Sequence, residues 1–350
     1  MPPEVLDAMC EAAQRHVPLR DLQDAAGRRI AEVIGAPAAL VASGAAGAIL
    51  LAVAAALTGA DREKVYALPD TSGGRNEVLV WRTRRPNYMY QACRAAGGKL
   101  VEVGDEAQVR PEDFRAALSE RTAAILLVLA PIDQARDRLG PWSSFVGSVA
   151  QFAREAGVPM LVDAASELPP RALIRRLLDL GAAGVIVSGG KAIRGPQASG
   201  ILAGRPDLVA AAALNNNPLP AIGRPMKVGK EEIAGLVVAV ERFFALDEQA
   251  QLDEWRAWCE QIARAAHGRA GVRAEVIEQH PDYGRPPLAP KAVLRFDGAA
   301  AAAGALDGRL RTGTPAIQPL RHADSLIFNP MSLLPGEADV IAKRLQAELR

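Results

Sequence analysis

Cysteine, aromatic residues, net charge and long apolar runs are all scarce in this sequence, and each shortage removes a class of protein. Three cysteines, Cys10, Cys93 and Cys259, lie far apart with no CxxC pair and no Cys/His cluster. That spacing argues against a disulfide framework or a zinc site and suits a reducing cytoplasm. Aromatics make up 4% of the chain while 49% is hydrophobic, so the core must be built from Ala, Val and Leu, and disorder is not expected to dominate. Lys and Arg number 41 against 40 Asp and Glu, a net charge of +1. Nothing global favours wrapping a polyanion, and no nucleic-acid partner is expected. The most apolar stretch, "AGAILLAVAAALTG" (46 to 59), is too short to cross a bilayer, and no basic-then-apolar leader opens the chain. It reads as a buried helix, with no membrane partner.

What is present is an alternation of short apolar runs and helical patterns. "EVLVWR" (77 to 82), "KLVEVG" (99 to 104), "AAILLVLAP" (123 to 131), "PMLVDAA" (159 to 165), "GVIVSGG" (184 to 190) and "SGILAG" (199 to 204) read as buried strands. Helical segments such as "PEDFRAALSE" and "GSVAQFAREAG" stand between most of them. The rhythm predicts an α/β domain with a mainly parallel sheet covered on both faces. "NNNPLPAIGRPMKVGK" (215 to 230) separates this block from what reads as one long helix over 231 to 266. The remainder, with "AVLRFDG" and "SLIFNP" as strands and "GEADVIAKRLQAELR" as a closing helix, reads as a small α+β domain. The expected partition is a helical segment over 1–40, a large domain over 41–230, and a linking helix with a small C-terminal domain over 231–350.

One lysine stands out. In "VIVSGGKAIRGPQASG" (185 to 200), Lys191 follows an apolar strand and sits among small residues, where Gly189 and Gly190 let a ligand approach the backbone and Ser188 offers a hydroxyl. A surface lysine is the bland alternative. A phosphate-binding P-loop fails, because Val185 stands where that motif needs Gly and Ala192 where it needs Ser or Thr. Schiff-base chemistry remains, in which a desolvated amine attacks an aldehyde. That reading requires a carboxylate for a cofactor's pyridine nitrogen and an anion site for its phosphate. "LVDAASELPP" places Asp163 at a strand end, and "VASGAAGAILLA" joins a turn to a helix, so that N–H groups around Ser43, Gly44, Ala45 and Ala46 are free for a phosphate. Each feature alone is also an ordinary helix cap or surface charge.

With these residues in place, "LVDAASELPP", "SGGKAIRGPQASGIL", "IGRPMKVGKEEIAGL", "LPDTSGGRNEVLVWR" and "YQACRAAGGKLVEVG" resemble the pyridoxal-phosphate-dependent family that unites bacterial selenocysteine synthase with D-glucosaminate-6-phosphate ammonia lyase. The similarity runs from about residue 20 to the C-terminus. The resemblance implies a fold type I, aminotransferase-like large domain with a seven-stranded type of sheet. It implies pyridoxal 5'-phosphate on Lys191, Asp163 as partner of its pyridinium, and Ser188 with the Ser43–Ala46 turn on its phosphate. It also implies a homodimer or larger assembly with the site at the interface.

Two departures stand out. Relatives carry His-Arg where this chain has Arg84 and Arg85, so an Arg84 guanidinium takes the place of an aromatic lid over the ring and cannot act as a base near neutral pH. Only about 40 residues precede the phosphate turn, where selenocysteine synthase has a further tRNA-binding domain, so a tRNA substrate is not expected. The basic segment gives Arg224 and Lys227, beside Lys230, as candidates for a phosphate or carboxylate of the substrate. Gln197 and Arg321 are further candidates for substrate contact. The expected reaction is α,β-elimination of ammonia from a small hydroxylated, phosphorylated or unphosphorylated, amino acid. An aldolase, racemase or β-replacement enzyme, and a non-catalytic pyridoxal-phosphate-binding protein, remain as alternatives.

Overall fold

The computed structural model describes residues 1–83, 87–129, 142–277 and 289–349. Contacts divide the chain into two compact units, with the boundary between Ala245 and Leu246.

The first unit opens with helices α1 (Pro3–Ala13) and α2 (Leu19–Ile34), strand β1 (Ala38–Ala42) and helices α3 (Gly44–Thr58) and α4 (Arg62–Ala67). It continues through β2 (Glu77–Trp81), α5 (Tyr88–Ala95), β3 (Lys99–Val103), α6 (Pro111–Ala117) and β4 (Thr122–Val128). Next come α7 (Trp142–Glu155), β5 (Met160–Asp163), α8 (Leu173–Asp179), β6 (Gly184–Ser188), β7 (Gly200–Gly204), α9 (Pro206–Leu214) and α10 (Lys230–Ala245). The strands form one seven-stranded sheet in the order β1-β7-β6-β5-β4-β2-β3. All neighbours run parallel except β7, which is antiparallel to both β1 and β6. Every residue of β5, β6 and β7 is buried, as a sheet covered on both faces requires.

The apolar stretch over 46 to 59 lies in α3, a buried helix as expected. Ile49, Leu51, Ala52 and Val53 are almost wholly shielded, and its core also takes in side chains of β4, β6 and β7. Burying an Ile, Leu or Val is worth about 2 kcal/mol each, which fixes the amino end of α3 against the sheet. Strand β1 was not expected, because "AALVA" merges with the small apolar residues that follow it.

The second unit contains α11 (Glu248–Ala266), β8 (Arg273–Ile277), β9 (Lys291–Arg295), α12 (Ala300–Thr312), β10 (Leu320–His322), β11 (Ser325–Phe328) and α13 (Glu337–Glu348). Its strands make an antiparallel sheet in the order β10-β11-β9-β8. Ile262, Leu294, Leu306, Leu326 and Leu345 form its core.

The expected single helix over 231 to 266 is two. Asp247 leaves the helical conformation, and its carboxylate accepts from the N–H groups of Gln249 (2.9 Å) and Ala250 (3.1 Å), starting α11 afresh. Helix α10 packs on α1 and α2 and belongs to the first unit, so the expected grouping of 231–350 is corrected to a division after Ala245. Among the described residues, no helix is long and apolar enough to cross a membrane, and no group of His, Cys, Asp or Glu could hold a metal ion.

Candidate active site

Asp163 is the last residue of β5 and Ser188 the last of β6, two adjacent parallel strands, and Asp163 lies opposite Ile186 in the ladder. Across the antiparallel strand, Ser188 faces Gly200, and Gly200 faces Ala42, the last residue of β1. The carboxyl ends of β1, β5 and β6 therefore meet at one edge of the sheet, where open α/β sheets bind their ligands. Gly200 is required there: a Cβ would overlap the carbonyl carbon of Gly44 and lie 2.8 Å from the nitrogen of Ala45. The close approach presses the Ser43–Ala46 turn onto the sheet beside Ser188.

Ser43 precedes α3 without making a side-chain cap. The first N–H groups of a helix have no acceptor within it, so the turn offers unpaired donors at the positive end of the helix dipole. Lys191 is exposed in the tight turn after β6. That turn closes through Gly189 N–H to Ser199 C=O (2.9 Å), Gly195 N–H to Gly189 C=O (2.8 Å) and Arg194 N–H to Lys191 C=O (2.9 Å). A Cβ at Gly189 would overlap the Ser199 hydroxyl, so a larger residue there would open the loop that carries the lysine.

Asp163 is 4% exposed. Burial pushes its carboxyl up to about 6, against the Ala165 N–H that donates to it at 3.0 Å and the positive charge of Lys191, with Glu167 adding to the rise. A carboxylate held this way is poised to accept a cationic partner. The buried acid, the free α3 amides and the small-residue lysine turn match the donor set that pyridoxal phosphate needs.

The other expected residues fall in several places. Gln197 is exposed and lies against Gly190, next to Lys191. Arg224 and Lys227 are exposed on either side of Met226, whose sulfur lies 3.7 Å from where a Cβ of Gly47 would be, in the first turn of α3. The Arg224 guanidinium donates to Asn217 Oδ1 at 3.0 Å. Lys230 does not join them. Its ammonium donates to Ala12 C=O (2.7 Å) and Ala13 C=O (3.0 Å) at the end of α1 and pairs with Glu231 (2.7 Å), so it serves the packing of α1 instead of an anion site. Arg321 stands on β10 in the second unit, its guanidinium over Gly304 of α12. Arg84 lies outside the described residues.

Tyr88 and Glu167, which sequence reasoning did not single out, are coupled to Asp163 through charge. Partial burial and the negative charge of Asp163 push the half-exposed Tyr88 phenol up to about 12. Glu167, 2% exposed, accepts from Ser166 Oγ at 2.8 Å.

The family model described as SelA, L-seryl-tRNA selenium transferase, matches residues 11–255. A 5'-C-glycyluridine monooxygenase-decarboxylase from Streptomyces sp is 33% identical over 98% of this chain and 84% of its own. The D-glucosaminate-6-phosphate ammonia lyase of Salmonella typhimurium is 31% identical over 98% of this chain and 90% of its own. A solved structure of D-glucosaminate-6-phosphate ammonia-lyase superposes with a TM-score of 0.80 at 30% identity, covering 99% of this chain and 90% of that one. With the family model spanning most of the first unit and full-length relatives above 30% identity, the chain belongs to the SelA family of selenium transferases and ammonia lyases.

Proposed function

We propose that the chain is a pyridoxal-phosphate-dependent lyase that releases ammonia from a small, hydroxylated, anionic amino acid, working in the cytoplasm as a homodimer or larger assembly. The observation that carries this reading is the meeting of Lys191, buried Asp163 and the free amino end of α3 at one sheet edge, in a chain similar throughout to an ammonia lyase. Lys191 would hold the cofactor's aldehyde, Asp163 its pyridine nitrogen, and the Ser43–Ala46 turn with Ser188 its phosphate. When bound, pyridoxal phosphate takes up the electron pair left on Cα as a Cα–H bond breaks. Lys191 Nζ receives that proton, and Asp163 keeps the ring nitrogen protonated. Loss of the β-hydroxyl as water, followed by hydrolysis, leaves ammonia and a 2-oxo acid.

Arg224 and Lys227 would bind the substrate's remote anionic group, with Gln197 beside Lys191 and Arg321 as further substrate contacts. Lys191 is exposed in its turn and so open to a cofactor.

Supplying the purified protein with D-glucosaminate 6-phosphate should release ammonia and a 2-oxo acid in equal amounts. Oxygen consumption with release of carbon dioxide would instead favour the chemistry named for the 33% identical relative. Arg224→Ala and Lys227→Ala should each raise KM about tenfold or more and leave kcat nearly unchanged. Each charge-assisted hydrogen bond contributes about 1.5–3 kcal/mol, and a remote anion contact serves ground and transition states alike. Inorganic phosphate should compete with substrate. If serine is turned over as well as the phosphorylated substrate, and neither variant loses anything, an aldolase or racemase moves ahead.

A further inference from the structure

Three buried asparagines stand in a row, with Asn215, Asn216 and Asn217 0%, 2% and 3% exposed. Buried amides are kept where they hold something, and each of these holds a different element. Asn215 Nδ2 donates to Thr58 Oγ1 at the end of α3 (3.1 Å) and to Ala211 C=O in α9 (3.1 Å). Asn216 Nδ2 donates to Val41 C=O (3.3 Å) on β1, the edge strand of the large sheet, two residues before Ser43. Its Oδ1 accepts the Asn217 N–H (2.8 Å), and Asn217 Oδ1 accepts from Arg224 Nη1 (3.0 Å). The chain returns beside the run at Gly223, whose N–H donates to Asn215 C=O (2.8 Å) and where a Cβ would overlap that carbonyl. Hydrogen bonds therefore lead from the strand that carries the anion turn to the Arg224 guanidinium.

The chemistry of that last partner sets Arg224 apart. Elsewhere in the first unit Arg29, Arg175, Arg205 and Arg242 each donate to a carboxylate that offsets their charge. Arg224 has no carboxylate partner among the described residues; an amide orients it and leaves the charge whole. With Nη1 occupied, the edge formed by Nε and Nη2 stays open, and that edge matches two oxygens of a phosphate or carboxylate. The exposed guanidinium is thus aimed without being neutralised.

We infer that Asn217 is a positioning residue for the substrate's anionic group, fixing Arg224, through Asn216 and Val41, in register with the turn proposed to hold the cofactor's phosphate. The role rests on the contact proposed above between Arg224 and that anion. Asn217 acts through Arg224 and not by touching the substrate. A long side chain ordered in advance loses less freedom on binding, which is worth about threefold to tenfold in affinity. A carboxylate in the same place would hold Arg224 as firmly but cancel the charge that attracts the anion.

The test is calorimetric titration of the cofactor-loaded protein, whose cofactor-phosphate site is already filled, with inorganic phosphate, beside KM and kcat for D-glucosaminate 6-phosphate. Arg224→Ala should weaken phosphate binding about tenfold or more. Asn217→Ala should weaken it about threefold to tenfold, and should add nothing when joined to Arg224→Ala. Asn217→Asp, which keeps the acceptor, should weaken binding at least as much as Asn217→Ala, whereas a merely structural role would be rescued by it. Asn217→Leu, similar in volume and without an acceptor, should match the alanine variant, with Tm and the cofactor's absorbance showing that each variant folds. Losses in turnover should fall on KM and not on kcat. Additive losses, rescue by aspartate, or phosphate binding that Asn217→Ala leaves alone while Arg224→Ala weakens it overturn the inference. If the parent binds no phosphate, or neither variant changes its binding, the anion contact of Arg224 falls with it. Coupling to phosphate that persists in a protein releasing no ammonia removes the proposed reaction and leaves the positioning role standing.

Discussion

Lys191→Ala should fold as the parent does and lose catalysis. An exposed side chain with no packing role changes stability by no more than about 0.5 kcal/mol, so the melting temperatures should nearly coincide. A positioned general base contributes about 10²–10⁴-fold, and this residue would also anchor the cofactor, so the rate should fall by at least about a thousandfold. Lys191→Arg should be as inactive, since a guanidinium keeps the charge but cannot give up its proton near neutral pH. In the parent, borohydride reduction followed by peptide mapping should find the cofactor on Lys191. A label on another lysine, or parental turnover in the alanine variant, would remove Lys191 from the chemistry.

Asp163→Asn should separate stability from activity. In the cofactor-free chain the carboxyl is pushed up to about 6 from an ordinary value near 4, so the folded state holds its proton more tightly than the unfolded chain does. Asp163 therefore costs nothing below pH 4. Its cost grows as pH rises through that window and is complete above about pH 6, where it is on the order of 3 kcal/mol. Asparagine can still accept the Ala165 N–H but carries no charge. Stripped of cofactor, the variant should be more stable than the parent at pH 8 and equal to it at pH 4. Its turnover should fall at least about a hundredfold, because a neutral amide cannot hold a pyridinium proton. Denaturant unfolding at both pH values, beside the rate assay, decides the matter. A stability difference that does not vary with pH would mean that the buried charge is paired elsewhere.

Asp163 and Lys191 stand out in the sequence for related reasons. Asp163 ends a fully buried strand, and Lys191 stands in the small-residue turn that follows another, three residues past its end. Strand β1 was not legible, because alanine fits both its ladder and the helix that follows. Strand β8, with exposed and half-buried residues alternating along "RAEVI", carries too little apolar signal to stand out at a sheet edge. The break at Asp247 was missed because "ALDEQAQ" is made of residues that continue a helix readily, and a capping aspartate looks the same in sequence as a surface one. The role of Lys230 lies further out of reach. Its acceptors on α1 are far along the chain, and only the packing of α10 on α1 brings them together. Asn217 carries no mark at all: in a run of asparagines beside prolines it reads as linker, and its burial shows only once Asn216 is docked on β1.

The register Ala42–Gly200–Ser188 acts as a ruler. The anion turn and the lysine turn hang from strands separated by a single intervening strand, so their separation is two inter-strand spacings of about 4.8 Å each. Hydrogen-bond geometry sets that length, whatever the loops around it contain. Segments proposed to face the substrate, including the basic run around Arg224 and Lys227, can therefore be rewritten for a different molecule while the gap that a bound cofactor would span stays the same.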